Sequence, residues 1–369
     1  MKIAFNCSYY MPKSGGIKEY IYNLLTNLVS IEKQIEYIIY VSSDNYQYAI
    51  ETLPKECRIK KTPFSSKTPI QRSLFENTFY LREEAIEKFD IFHSPFFHSP
   101  KLKKAKVIIT VHDLRLYRYP QTYSFLRYLF LRYKVKMSVK RADAIVAISD
   151  FTKQELISLC RVEPTKITVI HEAVNRNFFS ATTINNYDPD LHNDIKYGDY
   201  ILSVGHLEPR KNYEKLITAF NKINNKNIKL VIVGQKNHGY SKVLDLVKQN
   251  KNIFYLEFVD SHLLLWLYKN AKLFIFPSFY EGFGFPPLEA ALLGTVSAVS
   301  NISCMPEICK DGVYYFDPFN VDDIASTIDF ILNDDSGIKN KQDRMEINLN
   351  SYSWKKNAEE TLQLYVDIK

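Results

Sequence analysis

Short apolar runs alternate with stretches whose apolar residues recur at helical spacing, and few architectures accept that rhythm. Lys2 to Cys7 is strand-like and Gly15-Gly16 forms a loop. Ile17, Tyr20, Ile21, Leu24, Leu25 and Leu28 then mark a helix from Ile17 to Val29. The pattern continues with strands at Glu36–Val41, Ile91–Ser94, Val107–Val111 and Ala144–Ile148, and with helices at Phe75–Phe89 and Asp150–Cys160. From His171 to Tyr200 the periodicity fails and the composition turns polar, which predicts a linker. The rhythm restarts with strands at Tyr200–Val204, Lys229–Val233, Ile253–Leu256 and Leu273–Pro277, and helices at Tyr213–Ile223, Tyr240–Gln249, Leu263–Asn270 and Pro286–Leu293. Strands alternating with helices predict parallel sheets in an α/β fold, here as two Rossmann-like domains, 1–175 and 200–351, with the linker at 176–199. At roughly 100–200 residues per domain, 369 residues suit two domains. A cleft between such halves, at the carboxyl ends of the strands, is the place to expect a ligand.

Composition removes the main alternatives. Hydrophobic residues make up 46% and charged residues 24%, which excludes wholesale disorder and leaves enough for a core. Val107–Val111, Leu263–Tyr268 and Leu273–Pro277 are the clearest apolar runs, all far short of the roughly 18–20 residues of a membrane span. The opening Met1-Lys2-Ile3-Ala4-Phe5-Asn6 lacks a signal-peptide core, so a cytoplasmic location is expected. Cys7, Cys57, Cys160, Cys304 and Cys309 are scattered without a Cys-x-x-Cys pair, which predicts buried thiols rather than disulfides or a zinc site. Charge is uneven. Residues 1–170 hold 27 Lys and Arg against 16 Asp and Glu, whereas residues 171–369 hold 21 against 25.

Two loops of the second half carry the strongest chemical signal. Glu281-Gly282-Phe283-Gly284-Phe285-Pro286-Pro287-Leu288-Glu289 follows a buried strand and opens a helix. Gly282 and Gly284 allow positive φ and a close ligand approach, and the helix start offers amides to a phosphate. Glu281 could accept from sugar hydroxyls and Glu289, expected in the first turn, could reach a ribose diol. Alternatively they are a loop surface residue and a helix-dipole partner. Ser203-Val204-Gly205-His206-Leu207-Glu208-Pro209-Arg210-Lys211-Asn212 also joins a strand to a helix, with Arg210 and Lys211 suited to a diphosphate or else forming a solvated basic turn. In the first half, Ser14-Gly15-Gly16-Ile17 could approach phosphates, and His112 ends a strand, where a histidine is more often structural than catalytic.

Together these residues resemble the retaining glycosyltransferases of family 4, which have the GT-B architecture, and more specifically bacterial polysaccharide mannosyltransferases. The resemblance rests on Glu281-x7-Glu289 with Phe283-Gly284 inside it, Gly205 through Lys211, Gly15-Gly16, His112-Asp113 and Pro306-Glu307. It implies an N-terminal acceptor domain and a C-terminal domain that holds most of a nucleotide-sugar donor. Arg210 and Lys211 would lie on the diphosphate, Glu289 on the ribose, Glu281 and the backbone of Gly282, Phe283, Gly284 and Phe285 on the donor sugar, Gly16 beside the phosphates, and His112 beside the anomeric carbon. At His206 the chain departs from similar proteins, which often have Arg there; Arg210 is the natural substitute. Trp354 and the segment 352–369 resemble the family's last helix, which crosses back to the first domain.

The implied reaction breaks an anomeric bond to a diphosphate, so its main demand is charge stabilisation on the leaving group, which Arg210, Lys211 and helix amides can meet without a metal or other cofactor. Asp188-Pro189-Asp190 mimics a metal-binding Asp-x-Asp run but sits in the linker. Between Arg115 and Arg141, eight cations interleave with aromatics such as Tyr117, Tyr123, Phe125, Phe130 and Tyr133. That suits an anionic membrane surface or a lipid-linked glycan acceptor, or simply a helix with an aromatic face inside and a basic face in water; no nucleic-acid recognition motif accompanies it. The expected activity is transfer of a hexose, mannose from GDP-mannose ahead of a UDP-hexose, to a lipid-linked glycan in polysaccharide or O-antigen-type biosynthesis. A nicotinamide oxidoreductase would need Gly-x-Gly-x-x-Gly after the first strand, which Ser14-Gly15-Gly16 does not supply. A non-catalytic nucleotide-sugar binder is the remaining alternative.

Overall fold

A computed structural model describes the chain except residues 13–14, 68, 177–194, 196–198 and 334–335, and except the side chains of residues 69–74. Most of the expected linker and the Asp188-Pro189-Asp190 run therefore lie outside the described residues. Two compact units are present: Met1–Ala173 with Tyr352–Lys369, and Val174–Ser351.

The first unit is built on a parallel sheet of β1 (Lys2–Asn6), β2 (Glu36–Val41), β3 (Arg58–Lys61), β4 (Ile91–Ser94), β5 (Lys106–Val111), β6 (Ala144–Ala147) and β7 (Ile167–Val169), in the order β3-β2-β1-β4-β5-β6-β7. Central strands are buried on both faces, which is why β2 and β5 read as near-continuous apolar runs. Edge strand β3, with the sequence RIKK, carries three cations and escapes detection by hydrophobic pattern. Helix Asp150–Cys160 starts where the Ser149 side chain accepts from the Thr152 amide and stops where Arg161 turns left-handed. The last helix, Trp354–Ile368, packs along Gly16–Ile31: the Trp354 and Tyr20 rings lie 5.8 Å apart. Its Tyr365 hydroxyl meets His93 Nδ1 of β4 at 2.6 Å.

The second unit repeats the plan with β8 (Tyr200–Val204), β9 (Lys229–Val233), β10 (Ile253–Leu256), β11 (Leu273–Phe276), β12 (Ser297–Ser300) and β13 (Tyr314–Phe316), all parallel, in the order β10-β9-β8-β11-β12-β13. Ile201, Leu230, Ile232, Leu273, Ile275 and Ala298 form one wall of its core, and helices Tyr213–Lys222 and Val321–Asn333 close it.

Both sheets reverse strand order once, between β1 and β4 in the first and between β8 and β11 in the second. At such a switch point neighbouring connections leave in opposite directions and open a crevice at the carboxyl ends of the strands.

Candidate active site

In the second unit the loops after β8 and β11 meet at the switch point. The Phe279 amide donates to the Arg210 carbonyl at 2.7 Å. Asn212, in the left-handed region at φ 58°, donates from its side chain to the carbonyls of Pro277 and Pro318. These bonds fix the two charged positions of one loop against the carboxylate of the other. Arg210 Nη1 donates to Glu281 Oε2 at 2.7 Å and to the Tyr280 carbonyl at 2.9 Å, while its Nε lies 2.6 Å from Glu208 Oε1. Lys211 Nζ is 2.7 Å from Glu281 Oε1 and sits over the Phe276 ring.

Lys211 and Glu281 are only 7% and 9% exposed, which dismisses both the solvated basic turn and the surface carboxylate. Burial works against the Glu281 carboxylate, yet Arg210 and Lys211 outweigh it and hold its pKa down at about 2. Burial lowers the Lys211 pKa, with Glu281 opposing that and Arg210 adding to it. Side-chain space around these groups is closed. A Cβ on Gly205 would come 3.1 Å from Lys211 Cε and 3.2 Å from the Tyr213 hydroxyl, which donates to the Gly205 carbonyl. His206 beside it is exposed.

The Glu281-to-Glu289 run differs from expectation in three details. Gly284 adopts φ 91°, but Gly282 stays outside the positive-φ region. The helix spans Phe285–Leu292 with Gly284 as N-cap, and Pro286 and Pro287 carry no N–H, so only Gly284 and Phe285 remain of the four amides a helix start usually offers. Because the helix begins at Phe285, Glu289 falls in the second turn rather than the first; its Oε2 accepts from the Tyr268 hydroxyl at 2.7 Å. Burial raises the Glu289 pKa, opposed by the Tyr268 hydroxyl. Phe283 stays buried, its ring 5.2 Å from that of Phe285.

In the first unit, His112 follows β5. Its Nδ1 is 2.9 Å from Glu172 Oε1 and its Nε2 is 2.9 Å from the Pro95 carbonyl. The Pro95 carbonyl can only accept, so Nε2 carries a proton, and Nδ1 faces the Glu172 carboxyl. Burial would lower its pKa, but Glu172 and the Pro95 carbonyl reverse that and leave it raised. Nearby His93 is the opposite case, lowered to about 3 by burial and by the His112 charge. Helix Gly16–Ile31 reaches the same place through Tyr20, whose ring stands edge-on 4.9 Å from His112. Gly15 caps that helix at φ 54°, and a Cβ at Gly15 or Gly16 would meet nothing within 4 Å.

Thus Arg210, Lys211 and Glu281 gather in one unit, with Gly205 beside them, while in the other His112 meets Tyr20 of the helix that Gly15 and Gly16 open. Glu208, Tyr268, Asn212 and Glu172 were not singled out as site residues by the sequence. Only Glu208 offered a signal, as a carboxylate two residues from Arg210. Among the described residues no group of three or more His, Cys, Asp or Glu is placed to hold a metal, and no helix is long and apolar enough to cross a membrane.

The comparisons with known proteins agree on the class. Residues 14–178 match the model of Glycosyltransferase Family 4, and residues 192–354 match that of Glycosyl transferases group 1. The chain is 28% identical to the O-antigen chain mannosyltransferase B of Escherichia coli, covering 74% of each chain. It is 32% identical to the O-antigen chain mannosyltransferase RfbU of Salmonella typhimurium over 57% of this chain and 56% of that one. Sucrose-phosphate synthase of Thermosynechococcus elongatus superposes with a TM-score of 0.79 at 17% identity, covering 100% of this chain and 99% of that one, which shows a shared fold. With one family model on each of its α/β units, the chain belongs to the family 4 glycosyltransferases and has the GT-B fold.

Proposed function

We propose that the chain transfers mannose from GDP-mannose to a hydroxyl of a lipid-linked glycan, in polysaccharide or O-antigen assembly at the cytoplasmic face of a membrane, with retention of configuration and without a metal. The observation that carries this reading is the cluster of Arg210 with the buried Lys211 and Glu281 at the switch point between β8 and β11. Its likeness to O-antigen mannosyltransferases supports the choice of sugar.

In this reading the bond from the anomeric carbon to the β-phosphate oxygen breaks and its electron pair goes to the departing diphosphate. Arg210, Lys211 and the amides of Gly284 and Phe285 stabilise that charge. The acceptor hydroxyl oxygen bonds to the anomeric carbon on the face the diphosphate leaves, and its proton passes to a leaving phosphate oxygen, giving GDP and an α-mannoside. Glu281 and the backbone from Gly282 to Phe285 hold the sugar, Glu289 the ribose, and Gly15, Gly16, Gly205 and His206 border the donor. His112, whose pKa Glu172 raises, would stand beside the anomeric carbon.

The test is transfer to synthetic lipid-diphosphate glycans from GDP-mannose and, separately, from UDP-glucose and UDP-galactose, with and without a chelator. Product linkage is read by NMR. GDP-mannose is expected to be used, with an α-linked product and no loss to chelation. Turnover of a UDP-hexose alone would overturn the donor, a β-linkage the retention, and chelator-sensitive activity the metal independence.

A further inference from the structure

Helix Phe125–Arg141 has two apolar faces. One is built into the first unit: Val135 and Val139 are buried, with Tyr128 and Leu131 packed against the same core. The other faces water. Phe125, Leu126, Leu129, Phe130 and Tyr133 are 45–78% exposed. At about 100° per residue they fall on one stripe, turned away from the buried one. Phe75, 58% exposed, belongs to helix Pro69–Glu87, and the adjacent Glu76 holds Lys134 at 2.8 Å. Large aromatic and leucine side chains presented together to solvent mark an interaction surface.

Its charge says what kind. No acidic residue occurs between Asp113 and Asp143, a stretch with eight Lys and Arg. Arg118 and Lys134 are paired with Glu155 and Glu76, while Arg127, Arg132, Lys136 and Lys140 lie exposed along the helix. Arg127 rides over the Tyr123 ring and Arg132 over Tyr117 and Tyr128. At the helix's end, Arg141 borders a hollow of about 350 Å³ whose other walls include Lys101, Lys103, Lys104 and Lys106, with Asp143. An apolar stripe flanked by cations and continued by a lysine-rich loop is the pattern of a helix that lies in the plane of a bilayer, apolar side among the acyl chains and cations among phosphates.

We infer that the exposed stripe of helix Phe125–Arg141 docks the chain on an anionic phospholipid bilayer, with Phe125, Leu126, Leu129, Phe130 and Tyr133 inserted. This surface is separate from the transfer site and its test does not depend on the donor.

The experiment is co-sedimentation of the full chain with vesicles of phosphatidylcholine, alone or with about a third phosphatidylglycerol, at low and high salt. Binding is expected to the anionic vesicles and to weaken with salt. Leu126→Ser with Phe130→Ser should reduce it about tenfold or more, and Arg127→Glu with Lys136→Glu and Lys140→Glu should abolish the preference for anionic lipid. These residues are exposed, so thermal midpoint and nucleoside-diphosphate binding should match wild type. No binding to anionic vesicles, or equal binding by the Ser variant, overturns the inference. So does a wild-type dimer that the Ser variant dissociates and that ignores vesicles, since a second copy would then cover the stripe. Loss of activity with vesicle binding intact would instead bear on the transfer reading.

Discussion

The cation-rich part of the sequence and the cation-rich part of the site are different regions. The first 170 residues carry a surplus of 11 positive charges, and its most concentrated run lies on the exposed helix Phe125–Arg141 and the 101–106 loop. In that unit, His112 follows β5, next to the switch-point strand β4, and pairs with the Glu172 carboxyl. The second half is net negative, yet at the β8–β11 switch point a buried lysine and a partly buried arginine are locked to two carboxylates. Net charge thus reports on what the surface meets, whereas the charge a leaving diphosphate meets is decided by which loops the strand order brings together.

The largest effect should come from breaking the denser of these two clusters. Lys211→Ala should lower kcat/KM by about 10²–10³-fold, the scale of losing one donor to a developing negative charge. It also leaves Glu281 with one cation fewer in a buried setting, so a stability loss of about 3–5 kcal/mol should appear in the thermal midpoint. Gly234→Ala tests the same cluster from behind. A Cβ there would come 2.1 Å from the Gly205 carbonyl oxygen at the root of the Arg210-Lys211 loop, and a cost of about 3 kcal/mol or more is expected, with weakened nucleotide binding.

Acid unfolding separates the clusters by sign. The Glu281 pKa, about 2 folded against an ordinary 4.5, contributes stability that is present above about 4.5 and is lost as pH falls from there toward about 2. Glu281→Gln should lack that part of the acid dependence. His112 behaves oppositely: with its pKa raised above 6.5, its contribution is full below 6.5 and disappears as pH rises through the folded value. Glu172→Gln should therefore destabilise by about 1–3 kcal/mol at mildly acidic pH, with the gap closing at higher pH. A gap that does not depend on pH would show that Glu172 matters by packing alone. The smallest effect is expected for Tyr268→Phe, which takes one hydroxyl from Glu289 and should raise the nucleotide Kd about two- to tenfold while kcat holds.

Legibility followed burial. Glu36–Val41, Tyr200–Val204 and Lys229–Val233 lie where the apolar runs place them, because inner strands leave a long hydrophobic signature, while Ile91–Ser94 and Ile253–Leu256 were legible from shorter apolar stretches. Arg58–Lys61 and Tyr314–Phe316 sit at sheet edges, and Ser297–Ser300 is short and half polar, so none announces itself. Helices Val321–Asn333 and Ile338–Asn350 leave no such signature, and of the two readings the sequence left open for Phe125–Arg141, Phe125, Phe130 and Tyr133 turn outward while Tyr128 packs inward.

By itself the sequence determined the α/β class, the loops that carry charge, and, of the two glycines expected at positive φ, Gly284 but not Gly282, since these are local consequences of residue type and spacing. Tertiary structure alone decided that Arg210 and Lys211 share Glu281, that Glu172 meets His112 and raises its pKa, and that Tyr268 holds Glu289. These pairs join residues 21 to 71 positions apart. Their distances follow from strand order and from the protein's low-dielectric interior, neither of which a one-dimensional pattern contains.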